Sequence, residues 1–168
     1  MTDKSIDFTK SEQYTLSIRL STDGFSFSIY NPIHDDSLSI IEKEINASSS
    51  LTANLKTLFH ESDFLNHPYK RVNIMMAGKR FTIAPLELFE EEQAELLFYH
   101  NHQKKENETV LYNILRKNNV AVIFGIDKSA QTFLNEQYPE ARFYSQSTPF
   151  IDYFSVKSRL GNSKKMYA

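Results

Sequence analysis

Ala77-Gly78-Lys79 is the stretch of this chain that comes nearest to a phosphate loop, in which backbone amides and a lysine cradle a polyphosphate. Such a loop needs a first glycine where Asn73 stands and a Ser or Thr where Arg80 stands, so the triplet reads as a turn. His100-Asn101-His102 offers ring nitrogens for a metal-dependent nuclease. Adjacent side chains diverge, however, and do not converge on one ion, so a solvated helix end is expected. His34-Asp35-Asp36 could give one nitrogen and two carboxylates to a divalent cation, but three neighbours in a loop lack the distant partners of a metal centre.

Composition excludes several classes. Without cysteine there is no disulfide, thiolate zinc site or thiol nucleophile, and a cytoplasmic, reducing compartment is the expectation. No charged and apolar leader opens the chain, and no apolar run approaches the ~18 residues of a membrane span. The net charge of −2 gives no long-range pull on nucleic acid. The 13 Phe and 9 Tyr sit at core periodicity rather than along a basic groove, and Lys104-Lys105 and Lys164-Lys165 are isolated pairs. The Asn46-Ala47-Ser48 and Asn107-Glu108-Thr109 sequons then read as chance matches.

The elements that must position any site follow from periodicity. Leu16, Ile18 and Leu20 alternate along one strand, and Phe25, Phe27 and Ile29 along the next. The Asp23-Gly24 pair between them suits a type I′ turn. A third strand is expected around Leu38 to Ile45, completing an antiparallel meander. Ser48 to Ser50 can cap a helix whose Leu51, Leu55, Leu58 and Phe59 form one stripe. Val72, Ile74 and Met76 alternate into a strand, and Phe81 and Ile83 into another. Pro85 is then expected to open a helix that carries Glu90, Glu91 and Glu92 near its positive end. The segment from His100 to Glu108 is expected to be polar and exposed, and Thr109 to Leu115 fits a helix better than a strand. Val120 to Ile126 is a continuous apolar run suited to a central strand. Asp127 can cap the next helix, Arg142 to Ser145 is a short strand, and Thr148-Pro149 begins a last helix that stops at Gly161. Residues 1–12 are expected to fray, leaving one α/β layered domain over 13–161 and a tail over 162–168.

LSIRLSTDGFSFSI at 16–29, FTIAPLELF at 81–89, and VAVIFGI at 120–126 with Tyr138-Pro139 beyond it together resemble the N-terminal half of the Bacteroidetes family called domain of unknown function 3822. The resemblance implies an actin-like, ribonuclease H-like fold: a three-strand antiparallel meander, then alternating helices and strands in a mixed sheet. It also implies a two-half architecture with ATP and magnesium in the cleft, and the 162–168 tail resembles the start of the second half's first strand. In that superfamily an Asp near the end of the first strand holds the metal, and small residues in the next turn admit phosphate. Here the matching strand end is Ile18-Arg19-Leu20-Ser21, without a carboxylate. Three readings follow from the resemblance. The first is a non-enzymatic scaffold or regulatory module with a degenerate nucleotide site, whose partner is another protein or the second half of the same protein. The second is an active ATPase or kinase with Ser21, Thr22, Asp23 and Gly24 nearest the phosphates. The third is a homodimerising interaction domain.

Overall fold

The computed structural model describes residues 6–33 and 37–160. The expectations placed on His34-Asp35-Asp36, Gly161, Lys164-Lys165 and the 162–168 tail lie outside the described residues. The chain forms two compact units: one of Met1–Ala77 with Asp127–Phe143, the other of Gly78–Ile126 with Tyr144–Ala168. Among the described residues, no helix is long and apolar enough to cross a membrane.

The first unit is built on the predicted meander. Strands β1 (Thr15–Leu20), β2 (Phe25–Asn31) and β3 (Ser37–Lys43) pair antiparallel, with Ile18 opposite Phe27 and Phe27 opposite Ile41. Because side chains alternate across a strand, this register turns Leu16, Ile18, Leu20, Phe25, Phe27 and Ile29 to one face, and all six are buried. Strand β4 (Arg71–Met76) runs parallel to β1 with Ile74 beside Ile18, and β8 (Arg142–Ser145) closes the sheet in the order β3-β2-β1-β4-β8. Helix α1 (Leu51–Glu61) starts where the Ser50 hydroxyl accepts the Ala53 amide at 3.1 Å, and it buries Leu55, Leu58 and Phe59. Helix α3 (Lys128–Gln137) starts where Asp127 accepts the Ala130 amide at 2.8 Å, and it buries Ala130 and Leu134. These helices and the buried sheet face form one core, with Phe27 edge-on to Phe64 at 5.5 Å and Phe59 edge-on to Phe133 at 5.2 Å. The N-terminal stretch, expected to fray, instead contains 3-10 turns over Phe8–Gln13. Its Ser11 hydroxyl is buried and donates to the Pro68 carbonyl at 2.6 Å, which ties the stretch down.

The second unit carries a three-stranded sheet, β5-β7-β6, from β5 (Phe81–Pro85), β6 (Glu108–Leu115) and β7 (Val120–Asp127). Strand β7 is central, as its apolar run predicts, and Ala121 to Phe124 are fully buried. Helix α2 (Ala94–Asn101) buries Ala94 and Phe98 against Ala84 and Ile123, and α4 (Ser147–Leu160) follows β8. Two expectations fail here. Pro85 ends an edge strand instead of opening a helix: a residue without an N–H is tolerated there, and the next amide, Leu86, bonds the Asn119 carbonyl at 2.9 Å. The segment expected to be helical at 109–115 is β6, entered through Asn107 at φ +58°. All eight of its residues are half-buried, so the burial contrast that would distinguish period 2 from period 3.6 is absent.

Candidate functional site

The predicted phosphate-facing residues lie in the β1–β2 loop at the carboxyl end of β1. Leu20 pairs with Phe25, so four residues, Ser21 to Gly24, make the connection. A two-residue type I′ turn would need positive φ at Asp23. Among the described residues, only Asn107 and Asn119 are non-glycines with positive φ, so that turn expectation is corrected. The loop closes on itself: the Ser21 amide donates to the Gly24 carbonyl at 3.1 Å, and the Asp23 amide donates to the Ser21 hydroxyl at 3.1 Å. Glycine is required at position 24 because a Cβ there would stand 2.8 Å from the Lys43 carbonyl oxygen.

Ser21, Asp23 and Gly24 line a cavity of about 390 Å³ with Arg19, Phe25, Ser26, the last two residues of β3, Glu42 and Lys43, and Glu44 just beyond it; Thr22 belongs to the loop but not to the lining. Sequence reasoning missed Glu42, Lys43 and Glu44. The meander register would have found them, since Lys43 lies opposite Phe25 and Glu42 opposite Ser26. The lining therefore holds three carboxylates, Asp23, Glu42 and Glu44, against two cations, Arg19 and Lys43. Among the described residues, no three His, Asp or Glu side chains come together as a metal site.

The other sequence candidates serve packing in the second unit. Arg80 follows the Gly78-Lys79 turn, and its Nε and Nη2 donate to the two Glu108 carboxylate oxygens at 3.0 and 2.7 Å. Its Nη2 also reaches the Gln103 carbonyl at 2.9 Å, and its Cζ lies 5.3 Å from the centre of the Phe98 ring. Glu108 further accepts the Tyr99 hydroxyl at 3.1 Å, and its side chain is only 8% exposed. Burial first, and then this bond to Glu108, hold the Tyr99 phenol above its usual range. His102 stands 2.9 Å from the Phe81 carbonyl and leans on Phe98 at 4.6 Å, while His100 is exposed. The two histidines thus part company, and the 100–108 stretch is exposed as expected except at His102 and Glu108, which turn into packing contacts.

A larger cavity, about 870 Å³, opens in the first unit along residues 65–72 and 137–142. Two phenols fix it: Tyr69 donates to the Phe64 carbonyl at 2.5 Å and Tyr138 to the Leu65 carbonyl at 2.6 Å. Burial pushes Tyr69 up to about 12, and it pushes Tyr138 up as well, with Tyr69 adding to the effect.

No curated protein matches the chain. One solved structure that matches is a Bacteroides thetaiotaomicron protein described as having an actin-like ATPase fold and unknown function. It is 80% identical with a TM-score of 0.89, and the match covers 97% of this chain and 63% of that one. The chain therefore spans less than two thirds of that relative's length and shares its actin-like ATPase fold. A family model described as "Protein of unknown function (DUF3822)" matches residues 3–168, and the chain belongs to that family.

Proposed function

We propose that the chain is part of an actin-like module that works by protein contact and whose nucleotide loop has lost the chemistry for ATP hydrolysis. The observation that carries this reading is Arg19. A half-buried arginine stands near the end of β1, where the superfamily resemblance calls for a metal-holding carboxylate. Two features of the loop add support. The Ser21 and Asp23 amides both donate within the loop, which withdraws two donors that would otherwise meet phosphate. The lining carboxylates also outnumber the cations, and each like-charge contact with a phosphate would cost about 1 kcal/mol at 4 Å even in water. ATP with magnesium fits this donor set poorly. The partner would be another protein, or the region of a longer relative that extends past the matched part.

Two other readings each have an observation behind them. An active ATPase or kinase is favoured by the meeting of Ser21, Asp23 and Gly24 in one cavity. Self-association is favoured by Leu38 and Ile40, exposed on the edge strand β3; light scattering that returns a monomer at high concentration would remove it. Magnesium-dependent phosphate release should be at background for this chain and for the longer Bacteroides thetaiotaomicron relative. Turnover that Asp23→Ala or Ser21→Ala abolishes would overturn the scaffold reading in favour of the ATPase.

A further inference from the structure

The 870 Å³ cavity is more than twice the volume of the one at the hairpin loop and lies at the other end of the sheet. Strands β1 and β4 are parallel, so the Ser21–Gly24 loop follows the carboxyl end of β1 while Lys70 and Arg71 stand at the amino end of β4. The Lys70 amide bonds the Tyr14 carbonyl at 3.0 Å, which places this end beside the start of β1. We propose that this groove binds an acidic, extended peptide segment, with Lys70, Arg71 and Arg142 engaging its carboxylates over a surface made by Tyr69 and Tyr138.

Charge carries the first part of the argument. Three permanent cations line the groove against one carboxylate, Glu140, although the whole chain has a net charge of −2. The carbonyl end of α3 adds only about half a negative charge. Among the described residues, Lys70, Arg71 and Arg142 make no ion pair and no side-chain hydrogen bond, so Glu140 leaves an excess of positive charge along the lining. Arginine forks match carboxylates in two-point geometry, which suits recognition of acidic motifs.

Shape carries the second part. The volume falls within the roughly 300–1,000 Å³ of small-ligand sites, yet only Leu65 and Val72 of the lining are buried. A cavity whose lining stays largely exposed suits an extended chain better than a metabolite that must be enclosed. Both tyrosine hydroxyls are held by backbone carbonyls, and burial keeps them protonated, so the rings are fixed and uncharged. The proposal stands whether or not the hairpin loop takes a nucleotide, because the two sites share no residue.

Fluorescence anisotropy with a labelled Glu- and Tyr-rich peptide tests it, using Arg71→Glu/Arg142→Glu as the altered protein and Lys43→Glu, at the hairpin cavity, as the control. Binding should weaken by about tenfold or more in the double variant, stay unchanged in the control, and fall as salt rises. Amide hydrogen exchange on the unaltered protein guards against misfolding of the variant: the peptide should protect residues 65–72 and 137–142. Three results would overturn the proposal: no binding to the unaltered protein, protection elsewhere, or equal affinity in the double variant. Displacement of the peptide by pyrophosphate, Mg-ATP or a DNA oligomer at comparable charge would also overturn it, assigning the groove to polyanions instead.

Discussion

Removing Glu108 should weaken the second unit far more than removing an ordinary surface carboxylate. Glu108 accepts both forks of Arg80 and the Tyr99 hydroxyl, and its side chain is 8% exposed where Arg80 is 27% exposed. Breaking a fully buried pair costs about 3–5 kcal/mol, because the remaining charge is stranded. Here water can reach part of the guanidinium, and the Gln103 carbonyl and the Phe98 ring still hold it, so Glu108→Ala should cost about 2–3 kcal/mol. Arg80→Met/Glu108→Met should cost less than the sum of the single changes, with a coupling of about 2 kcal/mol, since no charge is then left unpaired. Gly125→Ala reaches the same pair from β7: its Cβ would fall 2.7 Å from the Glu108 carboxyl carbon and 3.1 Å from Phe98, so the carboxylate must shift. Urea denaturation followed by circular dichroism measures all of these. A loss under about 0.5 kcal/mol for Glu108→Ala, or strict additivity in the cycle, would refute the reasoning.

Further outcomes follow from the first unit. Phe27→Ala empties a fully buried site against Phe25 and Phe64 and should cost about 3–5 kcal/mol in the same denaturation assay. Gly24→Ala sets a methyl against the Lys43 carbonyl and should lower the melting temperature by an amount worth about 1–3 kcal/mol. Tyr69 and Tyr138 have folded pKa values above their unfolded values, so the folded state holds its protons longer. The stability they contribute is complete below about pH 10 and is lost as pH rises toward the folded value of about 12 for Tyr69. Alkaline titration of thermal stability should show that fall, and Tyr69→Phe/Tyr138→Phe should flatten it.

The first unit was largely legible because its strands alternate cleanly: Leu16, Ile18 and Leu20 against Phe25, Phe27 and Ile29 define both the face and the register. The run at 120–126 likewise announced a covered strand by its length and uninterrupted apolarity. Legibility failed where burial is uniform or contacts are distant. In β6, Val110, Tyr112 and Ile114 offered a period-2 set, but Val110, Leu111, Ile114 and Leu115 offered a helical one, and uniform half-burial leaves nothing to separate them. Pro85 carries the same backbone angle into a strand end as into a first helical turn, so only its neighbours decide. Ser21 to Gly24 form the connection between β1 and β2 that the alternation announced, while Glu42 and Glu44 reach the same cavity from the end of β3, whose register had not been applied. The Arg80–Glu108 pair joins residues 28 positions apart, and no local pattern encodes it. The groove is assembled from 65–72 and 137–142, which only the fold brings together.

The degenerate-loop reading is tested most directly by thermal denaturation with and without Mg-ATP, on this chain and on the longer Bacteroides thetaiotaomicron relative. A ligand at 100 times its dissociation constant adds about 2.7 kcal/mol of stability, a shift readily seen in the melting temperature. The scaffold reading predicts no shift in either protein. A shift in the longer protein that Ser21→Ala or Asp23→Ala removes would contradict it and place ATP at the hairpin loop.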